Sequence, residues 1–347
     1  NMGSFVASII PTITNTYDLG SNALRWRTLY SNNISVNGTA VSGNGTDITV
    51  AGINAPTGRT ATYVVAASDS PVYNHADYKV SGNASDELNA ALTAAGEGGT
   101  VAVFGTLHIG NSPVTMSLHS QTLDLRGSTQ YYGGTGHAFE MLNVSSSRII
   151  GINLIAEGSA LTSSTAVGLY ADSLHVAKEV SGVIQSFGAG TGVVFNAGTG
   201  NWTEEVVIPH LSIRSTWKGI EFTGAGSHQN ITIGHFFWGP NDGAAWNYGI
   251  KADGIDVKDI TMAFAHIIPG TTANVTGIQY GTNKGWSIVH YNWDNTPTGS
   301  ISINGTAPIF IGQVGTAQGS GFWRDARIPF TSLMQTLQRT YGGKSAQ

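Results

Sequence analysis

A short pattern of apolar and polar positions recurs through the second half of the chain. Each copy begins with a glycine, continues with alternating apolar and polar residues, and ends in a turn of small residues. The copies begin at Gly168, Gly192, Gly219, Gly249, Gly277 and, more loosely, Gly299. They return about every 22 to 30 residues, and a repeat of this length is typical of a solenoid in which each repeat forms one coil.

A second apolar run lies between successive copies and is rich in isoleucine, valine and aromatic residues. These runs cover residues 149–154, 180–184, 206–213, 231–237, 260–267, 286–291 and 309–314. Alternation with a period of two, β-branched side chains and turn residues at the breaks together predict strands rather than helices. Two or more short strands in each coil predict an all-β chain that folds as a parallel β-helix, with inward side chains forming the core.

The composition agrees with an elongated β-domain and narrows the function. The chain has 347 residues, 46 of them glycine, with 11% charged residues and a formal net charge of −5. Apolar residues make up 41%, so disorder is not expected. The sequence contains no run of lysine and arginine residues of the kind that would predict binding to nucleic acid. Cysteine is absent, which excludes disulfides, thiolate catalysis and cysteine-based zinc sites. No apolar run is long enough to predict a membrane-spanning segment, and Phe5 to Ile10 is too short for a secretory signal.

Residues 1–60 form a distinct region that is rich in Asn, Thr, Ser and Gly. The region contains a compact cluster from Asp18 to Tyr30, which includes D-L-G-S followed by L-R-W-R-T-L-Y. This cluster resembles a motif of bacteriophage tail-fibre and tailspike proteins. The resemblance implies that residues 1–60 are a tail-attachment or spacer region.

Residues 61–113 are predicted to contain a linker, a capping helix and the first coil. Ser85 is the candidate N-cap of the helix, and Gly96 ends it. The helix is followed by Gly-Gly-Thr-Val and an apolar strand, residues 98–104. This order resembles the start of pectin-lyase-like right-handed β-helices, in which the helix covers the open end of the first coil.

Two departures separate the chain from the pectin-lyase-like pattern. The usual D-G-x-x-D phrase is absent from residues 80–86, and residues 104–106 read Phe-Gly-Thr where Pro-x-G is common. The parallel β-helix is predicted over residues 114–318, with about seven or eight coils. Residues 319–347 break the pattern and are predicted to cover the last coil or to contact neighbouring subunits of a trimer.

Sugar chemistry is the one reaction class that the residues support. The sequence has no nucleotide-binding loop, H-E-x-x-H or G-x-S-x-G motif. Glycoside hydrolysis needs two carboxyl groups about 5 to 5.5 Å apart for retention or about 6.5 to 9.5 Å apart for inversion. The candidate catalytic acids are Glu204, Glu221, Asp242 and Asp256. No motif pairs them, and isolated acids on a solenoid are usually solvated charges, so the identity of any catalytic residue stays open.

Aromatic residues are concentrated between residues 202 and 293 and indicate a surface that binds sugars. Apolar faces of sugars pack on aromatic rings, while their hydroxyl groups need polar partners nearby. The candidate substrate-binding residues are Trp202, Trp238, Trp246, Trp293 and Asn241. We expect Trp238, Trp246 and Trp293 to be exposed because Gly, Asn or Asp residues flank each of them. Positions in the core or at a subunit interface are the alternative.

Three histidines, His235, His266 and His290, fall at matching positions of successive coils. A stacked ladder of neutral, hydrogen-bonded imidazoles is favoured over a metal site. The aspartates at three-residue spacing from 253 to 259 are interpreted as a turn, because the six to eight ligands that Ca²⁺ prefers are not evident. No metal and no cofactor is predicted.

Resemblance to the tail-fibre and tailspike family implies a homotrimer built into the virion tail, which contacts other tail proteins through its N-terminal region. The implied function is recognition of host cell-surface polysaccharide during adsorption. The alternatives are a depolymerising tailspike, which would cleave that polysaccharide as a glycosidase or lyase, and a secreted pectin-lyase-like enzyme. We favour binding without cleavage because the acids are sparse and no motif pairs them.

Overall fold

The computed structural model describes residues 61–240, 247–252, 254–269, 275–283, 285–294, 301–307 and 309–315, and three strands of the N-terminal region. The chain divides into two compact units, Asn1–Arg59 and Thr60–Gln347. In the first unit, three strands form an antiparallel sheet: β1 (Ile34–Val36), β2 (Thr39–Gly43) and β3 (Ile48–Val50). The cluster from Asp18 to Tyr30 and the segment 319–347 lie outside the described residues.

The described part of the second unit consists of two sheets and a helix, α1 (Ala84–Ala95). The strands of the twelve-stranded sheet, numbered in chain order, are β4 (Tyr63–Ala67), β5 (Tyr78–Val80), β6 (Thr100–Ile109), β8 (Thr122–Tyr132), β10 (Arg148–Ala156), β12 (Glu179–Gln185), β14 (Trp202–Glu204), β15 (Val207–Thr216), β17 (Ser227–Pro240), β19 (Asp256–Ile267), β21 (Trp286–Trp293) and β23 (Ile309–Gly315). The strands of the eight-stranded sheet are β7 (Val114–Met116), β9 (His137–Leu142), β11 (Val167–Asp172), β13 (Thr191–Ala197), β16 (Lys218–Gly224), β18 (Asn247–Lys251), β20 (Val275–Gly281) and β22 (Ile301–Gly305). Short 3-10 helices cover Tyr73–His75 and Gly158–Leu161.

The strands stack as a parallel β-solenoid of about seven turns, so the predicted fold class is confirmed. Each turn contributes to both sheets, and neighbouring turns pair in parallel. The glycine-led repeats form β11, β13, β16, β18, β20 and β22. The second apolar runs form β10, β12, β15, β17, β19, β21 and β23. Three features stay predictions: the right-handed winding of the solenoid, the trimer and the domain boundaries.

Alternation along each strand determines which side chains form the core. In β8, Leu123 and Leu125 are fully buried, while Asp124 between them binds the exposed Arg126. Inward aliphatic and aromatic side chains of successive turns join in one continuous cluster. Burial of each large side chain contributes about 1.5 to 3 kcal/mol, so the stacked interior stabilises the whole solenoid.

Glycine begins the repeat because the backbone of the eight-stranded sheet passes close to side chains of the opposite sheet. A Cβ atom on Gly219 would lie 2.9 Å from Cδ1 of Trp238 and would collide with the carbonyl oxygen of Gly249. Trp238 comes from the twelve-stranded sheet and is fully buried. The recurring glycine therefore marks a place where the interior has no room for a side chain.

Each turn has a sharp corner within or just before a strand of the twelve-stranded sheet. The corner residue has a positive φ in successive turns: Ser120, Ser146, Val176, Glu205, Asn230, Asp259 and Gly285. Glycine adopts this left-handed conformation freely, and asparagine and aspartate tolerate it better than most residues. The stacked corners bring the short segments that precede them to one edge of the solenoid.

Helix α1 packs against the first strands of the solenoid and buries Leu88 in the core. Its N-cap is Asn83, whose Oδ1 accepts a hydrogen bond from the N–H of Ser85 at 3.1 Å. The prediction of Ser85 as the N-cap is wrong, because Ser85 lies inside the helix and its hydroxyl donates to the carbonyl oxygen of Ser112 at 2.7 Å. Both residue types cap helices well, so local sequence could not distinguish them. The predicted end at Gly96 is confirmed.

Candidate functional site

Three of the candidate residues, Trp202, Glu204 and Asp256, lie on one outward surface at the corner of the solenoid. The surface is formed by β14 and by the first residues of β17 and β19, which pair in register. Its outward side chains form two rows: Trp202, Ser227 and Asp256 in one, and Glu204, Gln229 and Lys258 in the other. The residues between these rows are fully buried: Thr203, His228 and Val257. We name the six outward residues, together with His175, the corner surface.

Trp202 presents an aromatic ring at one end of the corner surface. The residue is 45% exposed, and its indole N–H donates to Oε1 of Glu204 at 2.9 Å. The hydrogen bond holds the ring in place while much of it stays in contact with solvent. A ring that is already ordered loses little conformational entropy when a ligand packs on it.

Glu204 organises the side chains beside Trp202. Its Oε2 accepts a hydrogen bond from Nε2 of Gln229 at 3.1 Å, and Nδ1 of His175 lies 3.7 Å from Oε1. The rings of His175 and Trp202 meet edge to face, with centroids 5.6 Å apart and planes at 78°. Both carboxylate oxygens of Glu204 therefore serve to position neighbouring groups.

A concavity of about 440 Å³ lies at the other end of the corner surface. Its lining residues are Gly254, Ile255, Asp256, Lys258, Thr282 and Asn283. The volume falls within the range of about 300 to 1,000 Å³ that is usual for small-ligand sites. Asn283 is held by two hydrogen bonds, from its Nδ2 to the carbonyl oxygen of Ala252 at 2.7 Å and to its Oδ1 from the N–H of Val257 at 3.2 Å. Asn283 is therefore fixed in place, and Asp256, Lys258, Thr282 and Asn283 give the lining its polar groups.

The corner surface does not pair two carboxylates for hydrolysis. Asp256 lies two strands beyond Glu204 and two residues earlier in register. A strand spacing of about 4.8 Å and a rise of about 3.3 Å per residue place the two Cα atoms about 12 Å apart. Gln229 lies between the two strands that carry the acids, and each carboxylate binds a different neighbour: Glu204 accepts from Trp202 and Gln229, and Asp256 binds Lys258.

The corner surface is acidic. Glu205 and Asp259 occupy exposed corner positions with φ angles of 53° and 57°. Among the described residues of this edge, Glu204 and Asp256 add two more carboxylates, and Nζ of Lys258 lies 3.5 Å from Oδ2 of Asp256. A surface with this excess of negative charge repels acidic ligands and accepts neutral ones.

The prediction that Trp238 and Trp293 are exposed is wrong, since Trp238 is 0% and Trp293 is 2% exposed. Their Gly, Asn and Asp neighbours suggested loops, but β17 continues to Pro240 and β21 includes Trp293. Alternation turns both rings inward, where Nε1 of Trp238 donates to Oγ1 of Thr216 at 3.2 Å. Neither ring can therefore contact a ligand on the surface.

Glu221 is separate from the corner surface. It lies in β16 of the eight-stranded sheet and is 9% exposed. Its carboxylate binds Nζ of Lys218 at 2.7 Å and Nζ of Lys251 at 3.1 Å, so two lysines neutralise it. Three further candidates lie outside the described residues: Asn241, Asp242 and Trp246.

The predicted histidine ladder is confirmed in part. His235 and His290 lie in one outward row, with Phe264 between them and His210 before them. Neighbouring ring centroids in this row are 4.9, 5.0 and 4.8 Å apart, and the Nδ1 atoms of His210 and His235 are 2.9 Å apart. Burial, and then the adjacent His210, lower the pKa of His235. His266 lies in the adjacent row instead of the ladder.

His228, beneath the corner surface, should make the protein less stable in acid. It is 0% exposed, its Nε2 lies 3.0 Å from the carbonyl oxygen of Thr223, and burial lowers its pKa below 6.5. The unfolded chain binds a proton near pH 6.5 while the folded protein resists it, so the free energy of unfolding falls as the pH drops below about 6.5. Each pH unit removes up to about 1.4 kcal/mol until the folded site itself titrates. Urea unfolding between about pH 7.5 and pH 5 measures this slope.

The control is the His228→Leu variant, which removes the titrating ring and keeps an apolar side chain in the interior. We expect the variant to lose less stability than the natural protein between about pH 6.5 and pH 5, whatever its stability at pH 7.5. Equal slopes in the two proteins would show that His228 is not the linked group.

Sequence reasoning missed most of the corner surface. His175, Gln229 and Lys258 are absent from the sequence-based candidates, as are the concavity residues Thr282 and Asn283. Their spacing in the sequence could have identified them. About 25 residues separate Glu204 from Gln229 and about 29 separate Gln229 from Lys258, and both intervals match the repeat period. Neighbouring turns place such residues side by side once the register is known.

Comparisons with protein-family models, curated proteins and solved structures give no match to this chain. The part of the chain that the structure describes contains no helix long and apolar enough to cross a membrane. Within the described ranges, no group of three or more histidine, aspartate or glutamate residues is placed to hold a metal ion. The corner surface and the solenoid that carries it are thus the basis for assigning a function.

Proposed function

We propose that the protein is a viral tail fibre or tailspike that binds host cell-surface polysaccharide through the corner surface during adsorption. The proposal includes a homotrimer in the virion tail, joined to other tail proteins through residues 1–60. The observation that carries it is the exposed Trp202, held by Glu204 on the same outward surface as the concavity at Asp256. The cluster from Asp18 to Tyr30 supports the viral assignment. Sedimentation equilibrium of the full chain tests the trimer.

The groups of the corner surface suit a sugar ligand. An indole ring packs on the apolar face of a pyranose, while amide, carboxylate and ammonium groups bind its hydroxyls. Paired strands hold these groups in a fixed arrangement, which lowers the entropy lost on binding. The carboxylates of Glu204, Glu205, Asp256 and Asp259 along this edge favour polysaccharides without acidic sugars.

Binding without cleavage is the proposed activity. Both oxygens of Glu204 are engaged by neighbouring side chains, and Asp256, two strands away, binds Lys258 instead. Incubation of the protein with the polysaccharide that it binds, followed by assays for new reducing ends and for unsaturated sugars, tests this point. Release of either product would replace the proposal with the depolymerase alternative.

Replacing Trp202 with alanine should remove most of the binding. Tryptophan is enriched among the residues that dominate binding energy, each worth at least about 2 kcal/mol, which corresponds to about a 30-fold loss of affinity. An array of neutral and acidic bacterial surface polysaccharides identifies the ligand of the natural protein. Biolayer interferometry with that polysaccharide then compares the Trp202→Ala variant with the natural protein.

The matched control is Tyr73→Ala, which removes a partly buried aromatic residue near the N-terminal end of the solenoid. We expect this variant to bind as the natural protein does, because Tyr73 lies outside the corner surface. Unchanged affinity in Trp202→Ala, or an equal loss in Tyr73→Ala, would contradict the assignment of the corner surface.

A further inference from the structure

The corner surface has two regions that a ligand can contact, and they are separated along the stack of turns. Trp202 marks the first region, and the concavity lined by Asp256 and Thr282 marks the second. The first residues of β17 lie between them, with Ser227 and Gln229 on the outward side. Both regions face the same side because the paired strands share one phase of alternation.

Strand pairing sets the distance between the two regions. Two strand spacings separate β14 from β19, which corresponds to about 9.6 Å. The Trp202 ring increases this distance because it contacts His175, which pairs with Glu204 on the edge opposite β17. The concavity extends in the other direction, to Thr282 and Asn283 of the following turn. One pyranose ring is too small to contact both regions.

We propose that the ligand is a linear stretch of at least three sugar residues that lies along the solenoid axis, an inference that rests on the proposed function. One sugar packs on Trp202, the next lies beside Gln229, and a third enters the concavity at Asp256. Each region alone binds weakly, and a continuous chain makes the second contact intramolecular. Recognition of a single terminal sugar would use only one region.

The test measures affinity against fragment length. Fragments of one to six sugar residues are prepared from the polysaccharide that the full chain binds in the array, and calorimetry gives the Kd of each. We expect affinity to rise at least about tenfold between one and four residues and then to level off. Equal affinity for one sugar and for six would overturn the axial arrangement but would leave the proposed function standing. An array without any bound polysaccharide would overturn the proposed function itself.

Two variants separate the two regions. Trp202→Ala removes the ring, and Thr282→Trp fills the concavity from an exposed residue that lies outside the strands. Each variant should weaken the binding of the long fragments about tenfold or more, whereas the shortest fragment that binds should respond to only one of them. Leu161→Trp introduces the same side chain at an exposed position elsewhere and should have no effect. Unchanged binding of the long fragments to Thr282→Trp would overturn the proposal, with thermal melting confirming that each variant is folded.

Discussion

Replacing Trp238 with alanine should lower the free energy of unfolding by about 3 to 5 kcal/mol. The ring is fully buried between the two sheets, against Gly219 and Gly249. Its removal leaves a cavity, because the surrounding backbone is held in hydrogen-bonded ladders and cannot collapse into the space. Oγ1 of Thr216 also loses the N–H that Trp238 donates, which adds the cost of an unpaired buried hydroxyl.

Urea unfolding followed by circular dichroism measures this loss, and Trp202→Ala is the matched control. The same substitution at the exposed Trp202 should change stability by no more than about 1 kcal/mol. The two variants should therefore behave in opposite ways, since Trp202→Ala loses affinity and Trp238→Ala loses stability. A loss below about 1 kcal/mol in Trp238→Ala would contradict a core position for this ring.

Replacing Gly219 with valine should cost about 3 kcal/mol or more, through overpacking rather than through a cavity. A Cβ at this position would lie 2.9 Å from Cδ1 of Trp238 and 3.1 Å from Cζ of Phe236. It would also collide with the carbonyl oxygen of Gly249, a backbone atom of the adjacent strand. The side chains can shift by changing rotamer, but the carbonyl can move only if the ladder between β16 and β18 is disturbed.

Gly82→Ala supplies the comparison, because no atom lies within 4 Å of a Cβ built there. We expect its midpoint of urea unfolding to match that of the natural protein within error, and the midpoint of Gly219→Val to fall sharply. Similar midpoints for the two variants would mean that the glycine-led repeat does not arise from close packing.

The strands could be predicted because their signals are local. Alternation in β16 places Ile220 and Phe222 in the core whatever lies elsewhere in the chain. Position 219 must be glycine because neighbouring atoms leave no room for a Cβ. The exposure of Trp238 could not be read in the same way. Its Gly and Asn neighbours are frequent in loops, and only the continuation of β17 to Pro240 sets the phase that turns the ring inward.

The corner surface depends on pairing between turns, which the sequence does not display. Glu204, Gln229 and Lys258 come from three successive turns and become neighbours only through the register of β14, β17 and β19. Trp202, Glu204 and Asp256 could be named as candidates from residue type alone. The neighbours of each, Gln229 beside Glu204 and Lys258 beside Asp256, could not be obtained without that register.

The amino-acid sequence by itself determined the repeat, the strands and the inward side chains, because alternation and the demand for glycine act over a few neighbouring residues. Only the tertiary structure decided that Trp202 is exposed beside Glu204 and that Glu221 lies on another sheet. The reason is that turns of different lengths stack in one register, and this register sets which outward side chains meet.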